Sequence, residues 1–145
     1  MAFRADGGMS SVTEQQTISA ADARTKLARI QDQIDAVTEE IGVFADAVRV
    51  VGASKAQPLA TIRAFAEAGI KACGENYLQE AISKLDELKQ YEMEWHFIGH
   101  IQSNKAKQVA ERFAWVQTLD STRLAKRLND ARLVSHPDEP LNCCI

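Results

Sequence analysis

A chain of 145 residues suits one domain with its own core, and 46% hydrophobic with 26% charged residues excludes a disordered or fibrous polypeptide. A formal net charge of -3 without a basic stripe argues against a nucleic-acid partner. No run approaches the roughly 20 apolar residues that cross a bilayer, so no membrane association is expected.

The first 17 residues, MAFRADGGMSSVTEQQT, lack the apolar core of a secretory signal and read as a polar tail, leaving one domain over 18–145. A long helix is predicted over 19–41. Ala20, Ala23, Leu27, Ile30, Ile34, Val37 and Ile41 recur at steps of three and four, a stripe expected to dock on the domain. Ser19 suits the N-cap, and Gly42 the stop. The rhythm then changes to short β-rich runs alternating with helical stripes. Strands are predicted over 48–53, 70–73, 94–98 and 115–119, and the closing 141–145 resembles a strand just begun. Helices carry Ile62, Phe65 and Ala66, then Leu78, Ala81, Ile82, Leu85 and Leu88. A third is expected over 103–113 with Ser103 as its cap, and a fourth follows Asp120 and Ser121. Strand–helix alternation of this length implies βαβ units, a parallel sheet, and all strand ends on one rim. The expected class is therefore α/β, with parallel units of a TIM-barrel-like fold. Four or five strands are about half of a closed barrel, which typically needs about 250 residues, so an incomplete barrel is expected.

The rim is where ligands bind in such folds. Lys55 follows the first strand, where partial desolvation would favour the free amine that attacks a carbonyl; a plain surface loop is the alternative. Asn76 either contacts a ligand or shapes its turn. His96, flanked by Trp95 and Phe97 in a strand, faces opposite to both, as core residue or ligand contact. Gln102, Ser103 and Asn104 cap a helix or receive an anion, and Gly99 makes the turn before them. Cys73, Cys143 and Cys144 have neither metal-ligand spacing nor a disulfide framework, which fits a reducing cytoplasm. Cys73 is expected to pack rather than react. No Gly-rich phosphate fingerprint or Ser/His/Asp motif stands out.

The stretch WHFIGHIQSNKAKQV, Trp95 to Val109, resembles the signature of the pyridoxal phosphate homeostasis protein family, whose barrel is similar to that of alanine racemases. Ala53-Ser54-Lys55 before Pro58 resembles the family's cofactor-lysine segment. Gly74-Glu75-Asn76-Tyr77 with Gln79-Glu80, then Thr118 to Asp120 and Arg127-Leu128-Asn129, continue the pattern in order. The resemblance implies pyridoxal 5'-phosphate (PLP) held as a Schiff base on Lys55, with Asn76, His96 and Gly99 near it and no metal. It implies a carrier or regulator of intracellular PLP more than a turnover enzyme. A racemase-like enzyme and a non-catalytic half-barrel interaction protein are the alternatives. The family's second half-barrel, with a Ser/Gly-rich phosphate segment, has no counterpart before Ile145. Marginal stability or self-association through an open sheet edge is therefore expected.

Overall fold

The computed structural model describes residues 17–145; the tail expected over 1–17 lies outside them, apart from Thr17. Five strands form one sheet: β1 Gly52–Ala53, β2 Ala72–Glu75, β3 Glu94–Phe97, β4 Trp115–Val116 and β5 Asn142–Cys143. Their spatial order is their chain order and every neighbouring pair is parallel. A sheet wound in one direction, without a reversal of strand order, is the winding of a (β/α)₈ barrel and not of a doubly wound sheet. Here β1 and β5 are the two edges, so the barrel is incomplete.

The helices are α1 Ala20–Ile41, α2 Leu59–Ala68, α3 Leu78–Glu87, α4 Ala106–Arg112 and α5 Thr122–Ser135. Side chains alternate along each strand, and this assigns the faces. Cys73, Trp95, Phe97 and Val116 join Leu85, Val109, Phe113 and Leu128 in the core between sheet and helices. Phe97 meets Phe113 edge-to-face, their centroids 5.2 Å apart. The opposite face carries Gly74, His96 and Trp115, paired in register across three strands. Cys73 is buried as expected, and burial, then the nearby Glu75 charge, pushes its thiol up to about 11.

Ser19 caps α1, its Oγ accepting from the Asp22 N–H at 3.1 Å, and Gly42 closes the helix at φ 70°. The docking expected along the whole stripe holds only in part. Ala23 is fully buried and Leu27 packs on the core, whereas Ile30, Val37 and Ile41 are exposed. Length explains the difference. α1 has 22 residues and its partner α2 has 10, about 33 Å against about 15 Å, so α1 overhangs its support.

Several boundaries also differ, among them the strand expected over 115–119, which pairs only at Trp115 and Val116. The run over 48–53 pairs only at Gly52 and Ala53, opposite Cys73 and Gly74, at the edge of the sheet. Gly74 and Glu75, beyond the strand expected over 70–73, are the last two residues of β2. α4 begins at Ala106 rather than Ser103: the Lys105 N–H donates to Gln102 O at 2.8 Å, so 102–105 form a turn. Ser103 caps nothing there, and its carbonyl accepts from Arg127.

Candidate functional site

The site is built at the carboxyl ends of β1, β2 and β3. β1 leads directly into residues 54–57, where the Gln57 N–H closes on Ser54 O at 3.1 Å. Ala56 in this turn has φ 56°, a left-handed conformation that costs a non-glycine residue about 1 kcal/mol. Such a residue persists when its surroundings hold it. Here they do. The Ala56 N–H donates to Glu80 Oε1 at 2.7 Å. Ser54 Oγ donates to Glu75 Oε1 at 2.6 Å, and Ser54 O accepts from Lys84 Nζ at 2.6 Å. Lys55 is exposed between these two anchored neighbours; the desolvation expected for it is not found.

Lys84 was not among the residues singled out from the sequence. Its ammonium donates to Ser54 O, to Glu75 Oε1 at 2.7 Å and to Glu80 Oε1 at 2.6 Å, which uses all three of its donors. It is 5% exposed and Glu75 is 0% exposed, so the pair lies within the protein between β2 and α3. The hydrogen bond from Lys84, then that from the Ala56 amide, holds the Glu80 carboxyl below its usual range. Lys84 lies between Ala81, Leu85 and Leu88 on the inward stripe of α3, four residues after Glu80. That position is the signal through which it could have been found. Arg132 repeats the pattern on α5: one turn after Leu128, buried, it donates to Ala110 O, Phe113 O and Glu139 O.

Register sets the level of the other candidates. Ala53 pairs with Gly74 and Gly74 with His96, so Lys55, Asn76 and Ile98 are each two residues beyond a paired position, at one level of the rim. Asn76 is half-buried, and its Oδ1 is buried with no hydrogen-bond partner among the described residues. Gly99 packs directly on it: a Cβ there would stand 2.3 Å from Asn76 O and 2.7 Å from Asn76 Cα. Thr118 Oγ1 donates to Gly99 O and ties this turn to the end of β4. Asn76, Tyr77, Gly99, His100, Gln102 and Lys105 line an open cleft of about 510 Å³. Lys55 and His96 are not in its wall.

His96 lies one layer below the rim and is 3% exposed. Its ring stacks on Trp115 with centroids 5.4 Å apart and planes 2° from parallel. Nε2 contacts Glu94 Oε1 at 3.0 Å, and Gln117 Nε2 contacts Nδ1 at 2.9 Å. Burial lowers its pKa from the ordinary imidazole value, against the opposing pull of Glu94. The neutral ring then donates from Nε2 to the carboxylate and accepts from Gln117 at Nδ1. Glu94 also binds Arg49. Desolvation raises Glu94, but its bonds to His96 and Arg49 outweigh this and hold it low. The sequence thus pointed to His96 as inward-facing, while the chain Arg49–Glu94–His96–Gln117 emerges only from the assembled sheet. No helix is long and apolar enough to cross a membrane, and no cluster of His, Cys, Asp and Glu suited to a metal occurs among the described residues.

No family model matches the chain. It is 40% identical over 127 residues to the pyridoxal phosphate homeostasis protein of Escherichia coli K12, covering 86% of this chain and 53% of that protein. The Pseudomonas aeruginosa protein of the same name is 40% identical over 119 residues, 82% of this chain and 51% of that one. Among solved structures, PipY of Synechococcus elongatus with PLP bound superposes with a TM-score of 0.65 at 35% identity, over 75% of this chain and 47% of PipY. The chain spans about half the length of the curated relatives it matches. Over the part it shares with them, the chain is similar to the pyridoxal phosphate homeostasis proteins.

Proposed function

We propose that this chain binds PLP through a Schiff base on Lys55 and serves intracellular PLP homeostasis as a cofactor carrier or regulator. The observation that carries the proposal is the Lys55 turn: an exposed primary amine, anchored on both sides, level with Asn76 at the rim of a parallel half-barrel. PipY, similar in fold and sequence, has a structure with PLP bound. Lys55 Nζ, as the free amine, adds its lone pair to the aldehyde carbon. The carbonyl oxygen leaves as water with the two amine hydrogens, and a C=N bond remains, with no oxidant or reductant needed. Asn76 fits a polar ligand, since its buried Oδ1 has no protein partner among the described residues. Gly99 keeps the backbone beside it close, and His96 supports this level from beneath. A cytoplasmic setting agrees with the exposed free thiols of Cys143 and Cys144.

The test is to mix the purified chain with PLP, record the imine absorbance, reduce with borohydride and map the modified peptide. Stoichiometric label on Lys55, lost in Lys55→Ala, is expected. Label scattered over many lysines would refute the assignment.

One observation supports an amino-acid racemase-like activity as the second reading: Tyr77, the residue after Asn76 at the rim, is 68% exposed and offers a phenol of the kind a second acid/base requires. PLP bound at Lys55 would supply the electron sink for such chemistry. Alanine racemisation abolished in Lys55→Ala would establish it, and no turnover would leave the carrier role. We further propose self-association through the open edges β1 and β5, which leave backbone groups available for pairing. A concentration-independent monomer by sedimentation would exclude it.

A further inference from the structure

We propose that Glu80, with Lys84 and Glu75, is a positioning device that fixes the backbone around Lys55 and so makes this lysine, above the others, the one that takes up an aldehyde. The inference rests on the assignment of Lys55 as the cofactor lysine. Its basis is the connectivity of the cluster. Lys84 Nζ bonds Ser54 O, Glu75 Oε1 and Glu80 Oε1; Glu75 Oε1 takes the Ser54 hydroxyl; Glu80 Oε1 takes the Ala56 amide. Ser54 Oγ also reaches Gly74 O at 3.2 Å, tying the turn to β2. The residues on either side of Lys55 are therefore both held, while Lys55 itself contributes nothing to the clamp. A fold in need only of stability would place an apolar residue at the inward position of Lys84, since a buried ion pair seldom outperforms a hydrophobic replacement. An ammonium with three acceptors instead fixes directions. It draws the Ser54 carbonyl and two carboxylates to one point, and it orients Glu80 towards the one amide that stabilises a left-handed Ala56.

Glu80 is the member to perturb, because its side chain is 33% exposed and truncating it leaves the buried Lys84–Glu75 pair in place. The experiment compares the full wild-type chain with Glu80→Ala, which removes the acceptor, and Glu80→Gln, which keeps an oxygen in its position. Two readouts are taken. Amide hydrogen exchange of Ala56 without cofactor reports the clamp, with the core amides of β2 and β3 as the internal standard for folding. Borohydride labelling with PLP, mapped by peptide, reports the share of label on Lys55. In Glu80→Ala, Ala56 exchange is expected to rise about 10- to 100-fold, as for loss of a charge-assisted hydrogen bond, with core amides unchanged. The Lys55 share of label should fall several-fold, and Glu80→Gln should restore both. Unchanged Lys55 selectivity in Glu80→Ala, with Ala56 exchanging freely, would overturn the positioning role while leaving the cofactor assignment standing. Scattered labelling in the wild type would overturn the assignment, and the positioning role with it.

Discussion

Gly99→Ala tests the contact that joins the second and third strand ends. A Cβ at Gly99 would stand 2.3 Å from Asn76 O and 2.7 Å from Asn76 Cα, where real Cβ atoms essentially never come within 3.0 Å. Both obstacles are backbone atoms, so no rotamer change relieves them. The turn after β3 and the end of β2 must separate by about 1 Å, against the ladder that pairs Glu75 with Phe97 and the Ile98 N–H to Glu75 O bond of 2.9 Å. Overpacking of this kind costs about 1–3 kcal/mol, and the rigid partner places it at about 3 kcal/mol. Gly42→Ala is the control. Gly42 has φ 70° and nothing within 4 Å of its built Cβ, so only the left-handed conformation is penalised, by about 1 kcal/mol. The assay is urea unfolding of both variants and the wild type at one protein concentration, with slopes compared to confirm an unchanged transition. Equal destabilisation by the two substitutions would refute the close approach of Gly99 to Asn76.

Ala56→Gly should stabilise the chain by up to about 1 kcal/mol, because glycine accepts φ 56° without strain; a loss of stability in the same urea assay would contradict this. Cys144 should react with Ellman's reagent at pH 8 in the folded chain, as should Cys143, more slowly because burial and then the neighbouring Cys144 raise its thiol; Cys73 should react only on unfolding, since it is 3% exposed with its pKa raised to about 11. Three fast thiols would contradict its burial. Because His96 has a lowered pKa when folded, the unfolded chain takes up a proton near pH 6.5 before the folded one does. Its contribution to stability is thus fully present above that pH and is lost as pH falls towards the folded value. Its ring resonance should titrate below the ordinary imidazole value, and titration at or above pH 6.5 would count against the neutral Glu94–His96–Gln117 arrangement.

The alternation of elements, and with it the parallel sheet, is written locally along the chain. Stripes such as Leu78, Ala81 and Leu85 stand in the chain, and a strand–helix–strand connection has one favoured hand. The helix caps at Ser19 and Ser121 were legible for a similar reason, since capping is a local contest between a hydroxyl and nearby amides. Lys55, Asn76 and Gly99 could be placed at the rim because they follow strand ends. Ser103 looked like a cap just as Ser19 did, yet a turn closed by Lys105 moved the start of α4 to Ala106. Which polar residues belong together is set by packing between elements. Lys84 is one charge among many until α3 lies on β2 and brings Glu75 to within 2.7 Å of its ammonium. His96 acquires a tautomer only when Glu94 and Gln117, the latter from the end of the neighbouring strand, close on its two nitrogens. These contacts depend on register and packing across elements far apart in the chain, and no local pattern encodes a distance between them.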